Sequence, residues 1–405
     1  MKLVPFQRLG LALALALCAP GFSFAQRYIQ TNLVTDGGVA GVTAAHTDGH
    51  LKNPWGLARS TSSPWWVSDN NAGVATLYDG TGAAKALIVT IPGPKNSPPN
   101  FVAAPTGVVF NGSSDFTFTA STPGATSTPA AFIFCTEDGT ISAWAGGSVA
   151  TLVADNSQIP NAENGAVYKG CTTGDVNGTR YFYAANFRSG QIDVFDTNFK
   201  QVHLQQHSDR DASWRGRDAD DRDSDGPFQD ERIPRGFAPH NVQNVGGSLI
   251  VAYARQDAPR HDAVLDGGGF VDIFSPSGKL ETRLESDSWL QAPWGIVWTP
   301  RDFGELSNRL LIGNFGSGKI AAYNGFDGHF IGFMLDQNGQ VIVNDRLWSL
   351  TFGNSATGCP ITSPPTCGQA GPYNSLFFTA GINDEKDGLF GTLTAVPAEQ
   401  DGDEE

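Results

Sequence analysis

The chain has 405 residues, among them 48 Gly, 24 Pro, 11% aromatics and only 2 Met. Such a composition is poor in helix formers and rich in turn formers and β-packing residues, which excludes a helical bundle or long coiled coil. Hydrophobic residues make up 40%, enough for a core, and a net charge of −15 without a basic block excludes nucleic acid as a partner.

The first 25 residues read as an export leader. Lys2 and Arg8 supply the positive end, residues 9–19 are an apolar run too short to span a bilayer, and Ser23-Phe24-Ala25 offers small residues for cleavage. The mature chain is therefore expected to begin at Gln26 and to be secreted or periplasmic, with no membrane span. Cys18 leaves with the leader, so Cys135, Cys171, Cys359 and Cys367 remain. No CxxC occurs, which argues against zinc. Two disulfides are expected in an oxidising compartment, Cys359 with Cys367 across a Pro/Ser/Thr-rich loop and Cys135 with Cys171.

Residues 28–45 predict an outer strand. After it, one pattern recurs six times: a Pro- or aromatic-led turn, a small residue, an apolar strand, then a second apolar strand ending in a polar residue. The starts are Asn53-Pro54-Trp55-Gly56-Leu57, Ala104-Pro105-Thr106-Gly107-Val108 and Val167-Tyr168-Lys169-Gly170-Cys171. Ala238-Pro239-His240-Asn241-Val242, Ala292-Pro293-Trp294-Gly295-Ile296 and Arg346-Leu347-Trp348-Ser349-Leu350 complete the set. Most continue into a third alternating strand, as in Ser317-Gly318-Lys319-Ile320-Ala321-Ala322-Tyr323. A unit of three or four antiparallel strands cannot bury both faces alone, but a closed ring of such units can. The sequence thus predicts an all-β, six-bladed β-propeller over residues 26–396, with an acidic tail at 397–405. A pair of β-sandwiches is the rival, and it does not explain the repeated Pro-x-Gly start.

The phrases around Pro54-Trp55-Gly56-Leu57 and Gly313-Asn314-Phe315-Gly316-Ser317-Gly318 resemble NHL-type propeller repeats. With residues 238–254 they are similar to an uncharacterised bacterial family of secreted NHL-like six-bladed propellers, some of whose members carry a PEP-CTERM sorting tail. This chain departs by lacking that tail and by carrying a charged insertion at residues 208–232. The resemblance implies fold and export. It does not choose among the lactonases, lyases and binding scaffolds built on similar propellers.

Aligning the repeats places Trp55, Thr106, Lys169, His240, Trp294 and Trp348 at one equivalent position, expected to face the central channel. Trp55, Trp294, Trp348 and Asn241 are candidate ligand-binding residues; the alternative is that the tryptophans plug the channel. His240 is the candidate for acid–base work or metal ligation, and Lys169 the candidate nucleophile or base if it is desolvated, or else a solvated or salt-bridged lysine. The ends of the second strands bring Asp69, Glu137, Asn186 and Asn314, candidate oxygen ligands for a central calcium as in lactonase-type propellers, or else ordinary hairpin residues. Within the insertion, Asp221, Asp223, Asp225 and Gly226 match the start of a calcium loop, although position twelve is Arg232 and the segment also reads as a solvated loop. Two functions follow from the residues. One is a binding protein for a small molecule, a glycan or an envelope protein. The other is a metal-dependent lactonase- or lyase-like enzyme.

Overall fold

The computed structural model describes residues 27–121, 124–204, 226–356 and 367–397. The expected leader, Asp221, Asp223, Asp225, Cys359 and residues 398–405 lie outside them.

The six repeats form six antiparallel sheets arranged as blades. Blade 1 runs Pro54–Ala58, Trp65–Asp69, Val74–Tyr78, Val89–Thr90 from the inside outward. Blade 2 runs Pro105–Phe110, Phe132–Thr136, Thr140–Trp144, Thr151–Asp155. The later blades begin with the inner strands Tyr168–Val176, Phe237–Val245, Pro293–Trp298 and Leu347–Phe352. Each inner strand touches that of the next blade, and Leu347–Phe352 returns to Pro54–Ala58, so the ring closes. Blade 6 is completed from both chain ends: Leu389–Ala395 pairs antiparallel with Tyr28–Thr35, which carries His46–Thr47 on its outer edge. The outer strand expected from residues 28–45 is this one. The sheets pack face to face through apolar side chains of both neighbours, as where Trp66 of blade 1 stacks on Phe132 of blade 2 at 4.3 Å. Among the described residues no helix is long and apolar enough to cross a membrane.

The repeated small residue has a steric cause. A Cβ on Gly56 would stand 2.4 Å from the Thr106 carbonyl oxygen, and one on Gly295 would stand 2.6 Å from that of Trp348. These are backbone atoms of the adjacent inner strand, so they have no side chain to swing away. Blades 4 and 6 carry Asn241 and Ser349 at this place. Asn241 uses its amide to donate to the Trp294 carbonyl at 2.8 Å. All six inner strands also break register here, as between Pro54 and Leu57, Pro239 and Asn241, and Leu347 and Leu350. An extra residue in a strand re-aims its side chain. The re-aimed residue is in turn Trp55, Thr106, Lys169, His240, Trp294 and Trp348. Gly56→Ala should therefore cost about 1–3 kcal/mol, read as a lower urea midpoint with an unchanged slope; an unchanged midpoint would mean that the blades are free to separate.

Cys135 and Cys171 correct one expectation. They are buried free thiols, not a disulfide. Their sulfurs are neighbours across the boundary of blades 2 and 3, both lying against Gly107. The Cys135 sulfur also lies 3.4 Å from the Thr106 hydroxyl and 3.8 Å from the Gly107 carbonyl, contacts that satisfy it as a thiol. Cys367 is disulfide-bonded.

Candidate functional site

The six re-aimed side chains meet on the channel axis, each at most 4% exposed. Trp55 and Trp348 stack with centroids 3.5 Å apart and planes 20° apart. Phe315 stacks on the other side of Trp348 at 4.1 Å. Lys169 Nζ caps the Trp55 ring at 5.1 Å, and the Arg346 guanidinium caps Phe315 at 5.5 Å. The result is a pile of three rings between two cations, an arrangement that the ring quadrupole favours. Trp294 meets Trp55 and Trp348 edge-on and donates its indole N–H to the Lys169 carbonyl at 2.9 Å. Thr106 donates to the Tyr168 carbonyl at 2.8 Å. The tryptophans thus close the channel, and the pile's ring faces are covered by protein groups.

Above the pile lies a cavity of about 170 Å³ lined by Trp55, Lys169, His240, Asp262, Phe315, Arg346, Trp348, Asp384 and Glu385, among others. Its carboxylates come from the turns after the second strands of two blades, Asp262 in blade 4 and Asp384 and Glu385 in blade 6; Glu137, from the same turn of blade 2, stands behind them against Lys169. Lys169 pairs with Glu137 and, at 3.2 Å, with Asp262. Glu137 also accepts from the Asn70 amide at 2.9 Å. Arg346 pairs with Asp384 at 2.7 Å. Glu385 accepts from the Asn53 amide at 3.1 Å, and Asn53 in turn accepts from the Trp348 indole at 2.9 Å. Asn383, Asp384 and Glu385 all have left-handed backbones, with φ of 55°, 57° and 63°. Each such residue costs about 1–2 kcal/mol, and strain of this kind persists where surrounding contacts impose it.

These surroundings set the protonation states. Burial works against the Lys169 ammonium, yet Glu137 and Asp262 outweigh it and raise its pKa above the ordinary lysine value. Held as a cation, Lys169 has no lone pair to attack with, which removes the expected nucleophile. Burial, then the Lys169 charge, push the His240 imidazole down to about 3. His240 stays neutral at physiological pH, with Nδ1 3.0 Å from the Pro293 carbonyl. The titrating group is Glu385, which burial and then the Glu137 charge push up from 4.5 to about 7.

A pH dependence follows. The folded state holds the Glu385 proton more tightly than the unfolded chain, so this contribution to stability is fully present below the unfolded pKa and is lost as pH rises through about 7. Glu385→Gln imitates the protonated form. Wild type and variant should show similar urea midpoints at about pH 4 and diverge in the variant's favour by about pH 8. Parallel midpoints across that range would show that Glu385 titrates normally.

The oxygens expected to share a calcium do not come together. Asp69 accepts from the Thr76 amide and hydroxyl at 3.1 and 2.7 Å; Asn186 donates to Asp193 at 3.0 Å; Asn314 accepts from the Gln291 amide at 2.8 Å. Each of these three locks the turn region of its own blade, and of the four only Glu137 joins the charges at the mouth, through Lys169. Among the described residues, one group of three His, Cys, Asp or Glu brings its ligand atoms within 4.8 Å, namely Glu137, His261 and Asp262. The Lys169 ammonium already pairs with both of its carboxylates, so the donor set does not fit a central calcium. Asn241 serves the blade interface, as described above, and Trp294 lies below the cavity. Sequence reasoning missed Asp262, Arg346, Asp384 and Glu385. Glu385 had one available signal: it follows the second strand of repeat six much as Glu137 follows that of repeat two.

No family model matches the chain. An uncharacterized protein of Acanthamoeba polyphaga mimivirus is 29% identical over 356 residues, covering 86% of this chain and 76% of the viral one. A second uncharacterized protein of the same virus is 26% identical over 356 residues, covering 87% and 82%. Among solved structures, a protein of unknown function from Bacteroides thetaiotaomicron aligns over 91% of this chain and 76% of its own, with a TM-score of 0.50 and 10% identity. A streptogramin B lyase aligns over 92% and 99%, with a TM-score of 0.43 and 13% identity. At such identities the likeness to solved structures concerns the fold alone, and the fold is a six-bladed β-propeller.

Proposed function

We propose that this propeller binds a small molecule in the cavity at the mouth of its closed channel, as an exported binding protein. One observation carries the reading: polar groups from several blades converge on about 170 Å³ of space above an aromatic floor. A mostly apolar floor with a few convergent polar groups is the usual make-up of a small-molecule site. The space is small for that class, so the occupant is a small metabolite or the end group of a longer chain. Export rests on the leader expected at residues 1–25. An acid–base enzyme is the second reading, favoured by Glu385, whose carboxyl titrates near neutrality at the cavity wall.

Thermal melts of the purified protein with a panel of amines, sugars, lactones and aryl esters test the proposal, since a ligand of the folded state raises the midpoint. A rise with at least one compound that is diminished in Glu385→Gln supports it. NMR analysis of the same mixtures separates binding from turnover. Midpoints unmoved across the whole panel would count against both readings.

A further inference from the structure

The cavity's charges are unevenly matched, and the mismatch points to a ligand class; this step rests on reading the cavity as a binding site. Lys169 is held by Glu137 and Asp262, and Arg346 by Asp384. An anion arriving here would compete with carboxylates already in place. Glu385 differs, because its hydrogen-bond partner is the neutral amide of Asn53 and, among the described residues, no Lys or Arg pairs with it.

His240 supplies a second, independent observation. It is 1% exposed and lines the cavity. A carbonyl oxygen only accepts, so the contact with Pro293 places the proton of this neutral ring on Nδ1. Nε2 is then a lone-pair acceptor, and among the described residues it has no partner. The cavity therefore presents two unmatched acceptors, one of them a carboxylate. A neutral polyol could donate to both but would leave the Glu385 charge unmet. A divalent metal needs several oxygens, and the one suitable cluster among the described residues is filled by Lys169.

We infer that this mouth takes an organic ammonium group, whose N–H donors are met by Glu385 and His240 Nε2 above the Trp55–Trp348 floor. One positive charge answers Glu385, the one lining carboxylate that, among the described residues, no Lys or Arg pairs with.

Calorimetric titration of the full chain with n-butylammonium, n-butanol and butyrate at fixed ionic strength tests this. The ammonium is expected to bind at least about tenfold more tightly than its two near-isosteres. Glu385→Gln, shown to be folded by its unfolding transition, should lose about tenfold in ammonium affinity. The wild-type preference stands as a test even if that variant does not fold. Equal binding of butanol, preference for butyrate, or an unweakened Glu385→Gln overturns the ammonium inference and leaves the binding site standing. Silence toward these three with a response to sugars or lactones in the thermal panel does the same. Silence toward every compound overturns the inference and the proposed site together.

Discussion

Replacing Lys169 by Met is expected to lower the unfolding free energy by about 3–5 kcal/mol. The Lys169 side chain is 2% exposed and Glu137 12%, so removing the ammonium leaves a carboxylate in a poorly hydrated site. Asp262 is 67% exposed and regains water, so its share is small. Trp55 also loses the cation over its ring. The cause can be separated from simple loss of packing. Glu137→Gln in the same chain removes the stranded charge and should recover a large part of the loss, giving a coupling of at least about 1 kcal/mol in a double-mutant cycle. Additive effects of the two substitutions would show that the pair is not a unit. The Lys169→Met cavity should also hold Glu385 protonated to higher pH, because Lys169 is among the charges that lower its pKa.

Trp348→Ala is expected to cost about 3–5 kcal/mol. The ring is 1% exposed, with Trp55 on one face and Phe315 on the other, so its removal leaves a void that neither neighbour can fill without breaking the pile. It also frees Asn53, which then no longer fixes the Glu385 carboxyl. Trp348→Phe keeps the stack and loses the indole bond, with an expected cost nearer 1 kcal/mol. The alanine variant should lose ligand-induced stabilisation as well, since the cavity floor opens toward the channel. A Trp348→Ala protein that melts like wild type would show that the pile is not what closes the axis.

The fold was legible because its cause is local and repeated. Three of the six starts are Pro-x-Gly, where adjacent inner strands approach too closely for a Cβ, and the other three are variants of the same pattern; six starts imply six strands around one axis. The middle residue of each start could be named as pore-facing for the same reason, since the bulge that aims it belongs to the repeat. The metal ligands could not be read this way. Asp69, Asn186 and Asn314 stand at equivalent positions, but the same residue types serve turns and metals, and only the hydrogen bonds show which they serve.

The sequence alone determined the number of blades and the identity of the six side chains on the axis, because a repeat writes its backbone geometry into every copy. Only the tertiary structure decided what those side chains do. Lys169 is a cation because carboxylates from other blades outweigh its burial, His240 is neutral because of burial and then the Lys169 charge, and Glu385 titrates near neutrality because of burial and then the charge of Glu137, 248 residues away in the chain. Electrostatic potential depends on distance through space, and a closed ring makes distant turns into neighbours.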